Sequence, residues 1–241
     1  RGHARRDGAG GAHHSPFIAN IAIQMCTSTM ARIAARVTLG ISLDQQDIPI
    51  PTSGHVAVKA PVFPFIKLQG LDPAPGPEMK STGEVMGIDR SFGAAFSKSQ
   101  QGAGVDLPLL GTVFISVKDE DNQAFVEICR SLVEDGFKVL ATGGTTDTLN
   151  AAGGSASLIN KVMEGRPHAV DAMLSDEIQL VFNTAKGAGA IKDSFSLRHN
   201  ALTNKIPYYT TVSGSRAAAE AIRALRQGQL GVRTLQDLSL I

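Results

Sequence analysis

The chain has 241 residues, of which 43% are hydrophobic and 19% charged, and a formal net charge of +1. That gives room for one large domain or two modest ones with real cores, and a near-neutral balance without a long Lys/Arg run excludes nucleic acid and membrane surfaces as expected partners. No apolar run approaches the roughly 20 residues of a membrane helix, and Cys26 and Cys129, far apart and without metal-like neighbours, read as reduced thiols of a cytosol-like compartment, Cys129 on the inner side of a helix.

An opening on Arg1 rather than Met is what a fragment or a processed product would show. Residues 1–14 (RGHARRDGAGGAHH) hold almost nothing to bury, so disorder is the expectation there. An Arg-rich, acid-poor start is also the composition of an organelle transit remnant, although Ser is absent. His13 and His14 lack the carboxylate or Cys partners of a metal site. Residues 30–39 (MARIAARVTL) put Met30, Ile33, Ala34 and Val37 on one helical face, predicting a helix buried on that side and stopped by Gly40. Residues 55–65 (HVAVKAPVFPF) alternate as a strand until Pro61 and Pro64 break the ladder. Pro and Gly are too dense over residues 70–89 for a long helix, which leaves turns and polar contacts to hold that backbone. Residues 91–101 (SFGAAFSKSQQ) predict a short helix capped by Ser91, with Phe92, Ala95 and Phe96 inward.

Composition shifts over residues 102–110, and a domain boundary is placed there. Beyond it, strands at 111–117, 137–141, 157–160, 177–183 and 207–211 alternate with helices at 121–134, 146–152, 168–174, 188–204 and 215–227, before a terminal strand around Val232. The alternation implies an α/β fold, a doubly wound parallel sheet with helices on both faces, whose ligands bind at the carboxyl ends of the strands near a switch in strand order. The polar residues expected at those ends are Ser116, Lys118, Thr142, Thr145, Asn160, Lys161, Asn183, Thr184, Thr210 and Thr211. Hydroxyls, amides and Lys suit a phosphate and a sugar better than an apolar ligand.

The stretch FKVLATGGTTDTLN (residues 137–150) has the shape of an anion site. An apolar strand meets Gly143 and Gly144, which can adopt angles closed to other residues, and then a helix starting at about Thr146 whose N-terminus offers unpaired donors. A strand, a Gly-rich turn and a helix cap also turn the corner of any α/β unit, so this stretch alone does not choose between ligand site and corner.

Several segments together resemble one family. VAVKAPVFPF, DPAPGPEMKSTGEVMGID, ATGGTTDTL, INKVMEGRPHAVD and VFNT are similar to the C-terminal part of the carbamoyl-phosphate synthase large chain, a resemblance that covers about residues 15–241. It implies an incomplete α+β ATP-grasp tail over residues 15–104 and, over residues 105–241, an allosteric domain similar in fold to methylglyoxal synthase. The family binds the phosphate of UMP or IMP through positions that here are Ser116, Thr142, Thr145, Lys161 and Asn183, with Thr184 beside them. A Lys used by some members is Asn122, a Thr is Ala185, and an Arg pair is Ala188 and Gly189, losses that weaken charge-assisted contacts to a phosphate. Of the positions around ornithine, an activator in some members, Thr210 matches, as a possible inter-domain contact, while the acidic ones are Ala60 and Tyr209, so no ornithine site is expected.

The Mg²⁺-binding carboxylates of an ATP-grasp centre are missing upstream of Pro16 and Phe17, so no cofactor and no catalytic residue is expected in this chain, with ATP and Mg²⁺ implied for the full-length enzyme. The family makes carbamoyl phosphate from bicarbonate, ATP and ammonia from glutamine, for arginine and pyrimidine biosynthesis. The implied partners are the remainder of the large chain and a glutaminase small chain, in the cytoplasm or, in a eukaryote, a plastid or mitochondrion. Residues 70–89, with Glu84, are the expected relay between effector and synthetase. Two alternatives stay open: a phosphate-eliminating lyase, for which Asp119 is the lone strand-end carboxylate, and a decayed fragment without function. Glu78 and Glu84 read as structural carboxylates and His168 as a helix cap.

Overall fold

The computed structural model describes residues 19–20, 30–48, 54–63, 81–162, 164–185, 190, 194–228, 230–232 and 234. Residues 1–14, Cys26, Pro64, residues 70–80 with Glu78, and Ala188 and Gly189 lie outside them.

Two sheets share one helix. The smaller is antiparallel, in the order β1 (Ala19–Asn20), β2 (Val56–Val62), β3 (Gly83–Asp89). The strand expected from residue 55 onward is therefore present, but Pro61 does not end it: Pro61 pairs with Glu84 and Val62 with Gly83. Among the described residues β1 meets β2 at Val58 and Lys59, and Pro61 has a strand neighbour in β3 alone, a setting in which proline is tolerated. Of the Pro/Gly-rich stretch, residues 83–89 form a strand and not turns, and Glu84 forms an ion pair with Lys59 on the neighbouring strand.

Preceding these, α1 (Met30–Thr38) forms where the apolar spacing placed it. Its expected burial is not found: Ile33 is half-buried, Ala34 and Val37 are exposed, and no described helix or strand covers that face.

Helix α2 (Phe92–Gly102) begins at Ser91, whose side chain accepts a hydrogen bond from the Ala94 amide. Then follow β4 (Thr112–Ser116), a 3-10 turn at Asp119–Asp121, α3 (Asn122–Glu134), β5 (Lys138–Ala141), α4 (Gly143–Ala151), β6 (Ala156–Leu158), α5 (Ala169–Leu174), β7 (Leu180–Asn183), α6 (Phe195–Thr203), β8 (Tyr208–Tyr209) and α7 (Val212–Arg226). The five strands are parallel in the order β6-β5-β4-β7-β8, so the chain starts in the middle, winds outward, and crosses back at β7. Strand-order reversal thus falls at β4, beside β5 and β7. Among the described residues no strand forms around Val232, which is fully exposed, and the preceding Gly231 carbonyl accepts a hydrogen bond from Lys98.

Alternation along the strands sorts the core into two layers. Val113, Ile115, Val139, Ala141, Leu180 and Phe182 face α3, α4, α7 and, beyond α7, α2. Phe114 and Val181 face α5 and α6 on the other side. An aromatic ladder crosses the first layer, Phe92 to Phe96 to Tyr209 to Phe182 to Phe125, with ring centroids 5.8, 6.5, 6.0 and 5.9 Å apart. The Tyr209 hydroxyl donates to Gln100 Oε1 at 3.0 Å, and burial pushes its pKa far above the usual phenol value.

Cys129, on the inner face of α3, is buried, which raises its thiol pKa. In a Cys26→Ser background, Ellman's reagent at about pH 8 is expected to modify Cys129 only at the rate at which the core opens. A reaction as fast as that of free cysteine would mean that α3 is loosely docked.

Candidate functional site

The parallel register places the predicted hydroxyls together. Ile115 pairs with Ala141 and Ser116 with Asn183, so Ser116, Thr142 and Asn183 stand in a row at the carboxyl ends of β4, β5 and β7. Thr142 Oγ1 donates to Ser116 Oγ at 3.2 Å. Just beyond, the Val117 amide donates to Thr145 Oγ1 at 3.4 Å and the Lys118 amide to Thr184 Oγ1 at 3.1 Å. In each case a hydroxyl is used as an acceptor. A hydroxyl carries one proton, so Ser116, Thr145 and Thr184 each keep an O–H with which to meet an anion.

Helix α4 begins at Gly143, three residues before the expected start. Thr142 is its N-cap in extended conformation, and the Thr146 amide makes the first helical bond, to the Thr142 carbonyl at 2.8 Å. Thr146 turns inward, its hydroxyl bonding the Ala141 and Thr142 carbonyls. No side chain caps the helix, and the amides of Gly143, Gly144 and Thr145 have no acceptor among the described residues. Three donors and the positive end of a helix dipole therefore converge beside the free hydroxyl protons.

The two glycines do not use the unusual angles expected of them, since neither has a positive φ. Nor does the protein crowd them: a Cβ on Gly143 would meet nothing within 4 Å, and one on Gly144 only Asp119 Oδ1, at 4.0 Å. Neither conformation nor internal packing demands glycine here, although glycine weakens a helix relative to alanine by up to about 1 kcal/mol. Among the described residues nothing packs on them, and the absence of a Cβ leaves the first turn of α4 open to close approach.

Not every predicted residue joins this group. Asn183 lies at the row but spends its amide on Tyr208, Nδ2 to hydroxyl 2.6 Å. Lys161 is exposed, 3.9 Å from Glu164 Oε1, and its amide is bonded by the Glu164 carboxylate at 2.9 Å. Thr210 follows β8, two strands from β4, beside Thr211, whose hydroxyl caps α7 at the Gly214 amide. Asn160 bridges to His168, which does cap α5: its Nδ1 accepts from the Asp171 amide at 3.3 Å while the Asp171 carboxylate accepts from the His168 amide. Asn122 starts α3, buried, with Oδ1 lacking a partner among the described residues.

Lys118, expected at a strand end, follows the hydroxyl row and bonds Thr184 through its amide. Its ammonium sits 3.4 Å from Glu120 and 3.5 Å from Asp121; the charge of Asp121 foremost raises its pKa. Among the described residues no group of three or more His, Cys, Asp or Glu could hold a metal ion, and no helix is long and apolar enough to cross a membrane.

A family model described as MGS-like domain matches residues 124–210, which run from α3 to the end of β8. The chain is 52% identical over 214 residues to a carbamoyl phosphate synthase large chain of Mesorhizobium japonicum, covering 86% of this chain and 18% of that one. It is 50% identical over 228 residues to a protein of the same name from Brucella suis, covering 92% and 19%, and 47% identical over 209 residues to one from Myxococcus xanthus, covering 86% and 19%. The chain thus spans about a fifth of the length of the curated relatives it matches.

Proposed function

We propose that this homologue of the C-terminal part of carbamoyl phosphate synthase large chains, with its MGS-like domain, is an effector-binding unit that takes a nucleoside monophosphate by its phosphate. One observation carries the reading: the uncapped N–H groups of Gly143, Gly144 and Thr145 face the same strand ends as the free protons of Ser116, Thr145 and Thr184. Such a set of fixed donors recognises a phosphate without needing a cation in contact. Thr142 positions Ser116, and Lys161 and Asn183 adjust on binding by leaving Glu164 and Tyr208. Thr210, farther off, is assigned to an inter-domain contact.

In a whole enzyme this unit would sit beside an ATP-grasp tail and regulate carbamoyl phosphate formation, with ATP and Mg²⁺ bound elsewhere in the large chain and ammonia delivered by a glutaminase small chain. UMP and IMP are the effectors to try.

Calorimetric titration of UMP, then IMP, into the full 241-residue chain is expected to show saturable binding. Thr142→Val should weaken it about tenfold, or about 1.4 kcal/mol, and Lys161→Ala by less, because Lys161 is exposed and already paired. A folded protein that releases no binding heat with either nucleotide would sink the reading.

A further inference from the structure

We propose that Asp119 is an internal competitor of the anion site: its carboxylate stands over the first turn of α4, where an anionic ligand must go, and so sets how tightly that ligand binds. The proposal rests on the effector-site reading above and refines it.

The segment joining β4 to α3 runs Lys118, Asp119, Glu120, Asp121, one cation against three carboxylates. Lys118 is engaged by Glu120 and Asp121, which neutralise it. Asp119 shares in neither pair, and among the described residues it forms no ion pair of its own. Its Oδ1 lies 4.0 Å from the point where a Cβ on Gly144 would be. A carboxylate so placed gains from the positive end of the helix, as any anion there would. It makes no full hydrogen bond to the three free amides, so it shields the donors without satisfying them.

An incoming phosphate must either displace this carboxylate or bind beside it, against a like charge. In a wet site that repulsion is worth a several-fold change in affinity, and salt screens it. The penalty grows with ligand charge, so the arrangement favours a monophosphate over a polyphosphate. Thr145, Ser116 and Thr142 supply what discrimination needs on the attractive side, and Asp119 the repulsive element.

The test is titration of inorganic phosphate and of UMP into the full chain as wild type, Asp119→Asn and Glu120→Gln, at low salt, with circular dichroism to verify folding. Asp119→Asn is expected to tighten both ligands about three- to tenfold, with the gain shrinking at about 0.5 M salt. Glu120→Gln removes the same charge one residue away and should change affinity by less than about twofold, since its partner Lys118 is freed as its own charge is lost. Equal affinities for wild type and Asp119→Asn would overturn the proposal and leave the effector reading standing. Equal gains in the two variants would overturn it in favour of a diffuse charge effect. No binding to any of the folded proteins would overturn both.

Discussion

Gly87→Ala is expected to destabilise the chain by about 3 kcal/mol or more, and Gly87→Val to leave little folded protein. A Cβ at Gly87 would lie 2.0 Å from the Ala95 carbonyl oxygen and 2.5 Å from the Ser99 amide nitrogen, both main-chain atoms of α2. Neither can rotate away as a side chain could. Nor can α2 retreat, because on its other side a Cβ at Gly93 would lie 2.7 Å from the Glu220 carbonyl oxygen of α7. The helix is held between two backbones, and the requirement at Gly87 is for space, since its φ is not positive. Urea unfolding measures the loss, with Gly83→Ala as the control on the same strand: a Cβ there meets nothing within 4 Å and should cost about 1 kcal/mol at most. If Gly87→Ala unfolded at the wild-type midpoint, α2 would have to stand off β3.

How far the sequence carried depended on whether an element's partners were nearby in the chain. The period-2 and period-3.6 patterns beyond residue 110 located five strands and their helices because each packs on neighbours of the same α/β unit. The hydroxyl row was legible for the same reason: a parallel sheet puts successive strand ends at one edge, so Ser116, Thr142 and Thr184 had to be near one another once the strands were placed. What failed needed information that periodicity lacks. The apolar stripe of α1 signals a buried face but not what buries it, and no described element does. Residues 83–89 carry two glycines and read as turns, yet Gly87 is in the strand because α2 passes against it, a contact visible only in three dimensions. Lys161 sits at a strand end as expected, but β6 is the edge strand, and its ammonium lies beside Glu164. Helix α4 starts earlier than a reading of Gly143 and Gly144 as turn formers predicts, because here they occupy helical positions whose amides stay free.

Phe96→Ala is expected to cost about 3–5 kcal/mol, and the pattern of that loss bears on how an effector could act at a distance. Phe96 is fully buried, one step from Tyr209 in the ladder that runs on through Phe182 to Phe125, while other faces of α2 support β2 and β3. Tyr209→Phe removes only the hydroxyl that satisfies Gln100 Oε1 and should cost about 1–3 kcal/mol, the penalty of a buried acceptor left bare. If α2 welds the two sheets, native-state hydrogen exchange of Phe96→Ala will show amides of β2–β3 and of β4, β5 and β7 losing protection together, by the same free energy, as members of one cooperative unit. Loss confined to β2–β3 would instead divide the chain near residue 104 and make the parallel-sheet unit independent. The distinction matters for regulation. A ligand at the strand ends can influence the antiparallel sheet only if it favours one arrangement of something both touch. The neighbouring residues Tyr208 and Tyr209 supply such a link, the first bonded to Asn183 at the site and the second to Gln100 on α2. On that geometry α2 is the element that both sheets touch, while Glu84 pairs with Lys59 on the neighbouring strand.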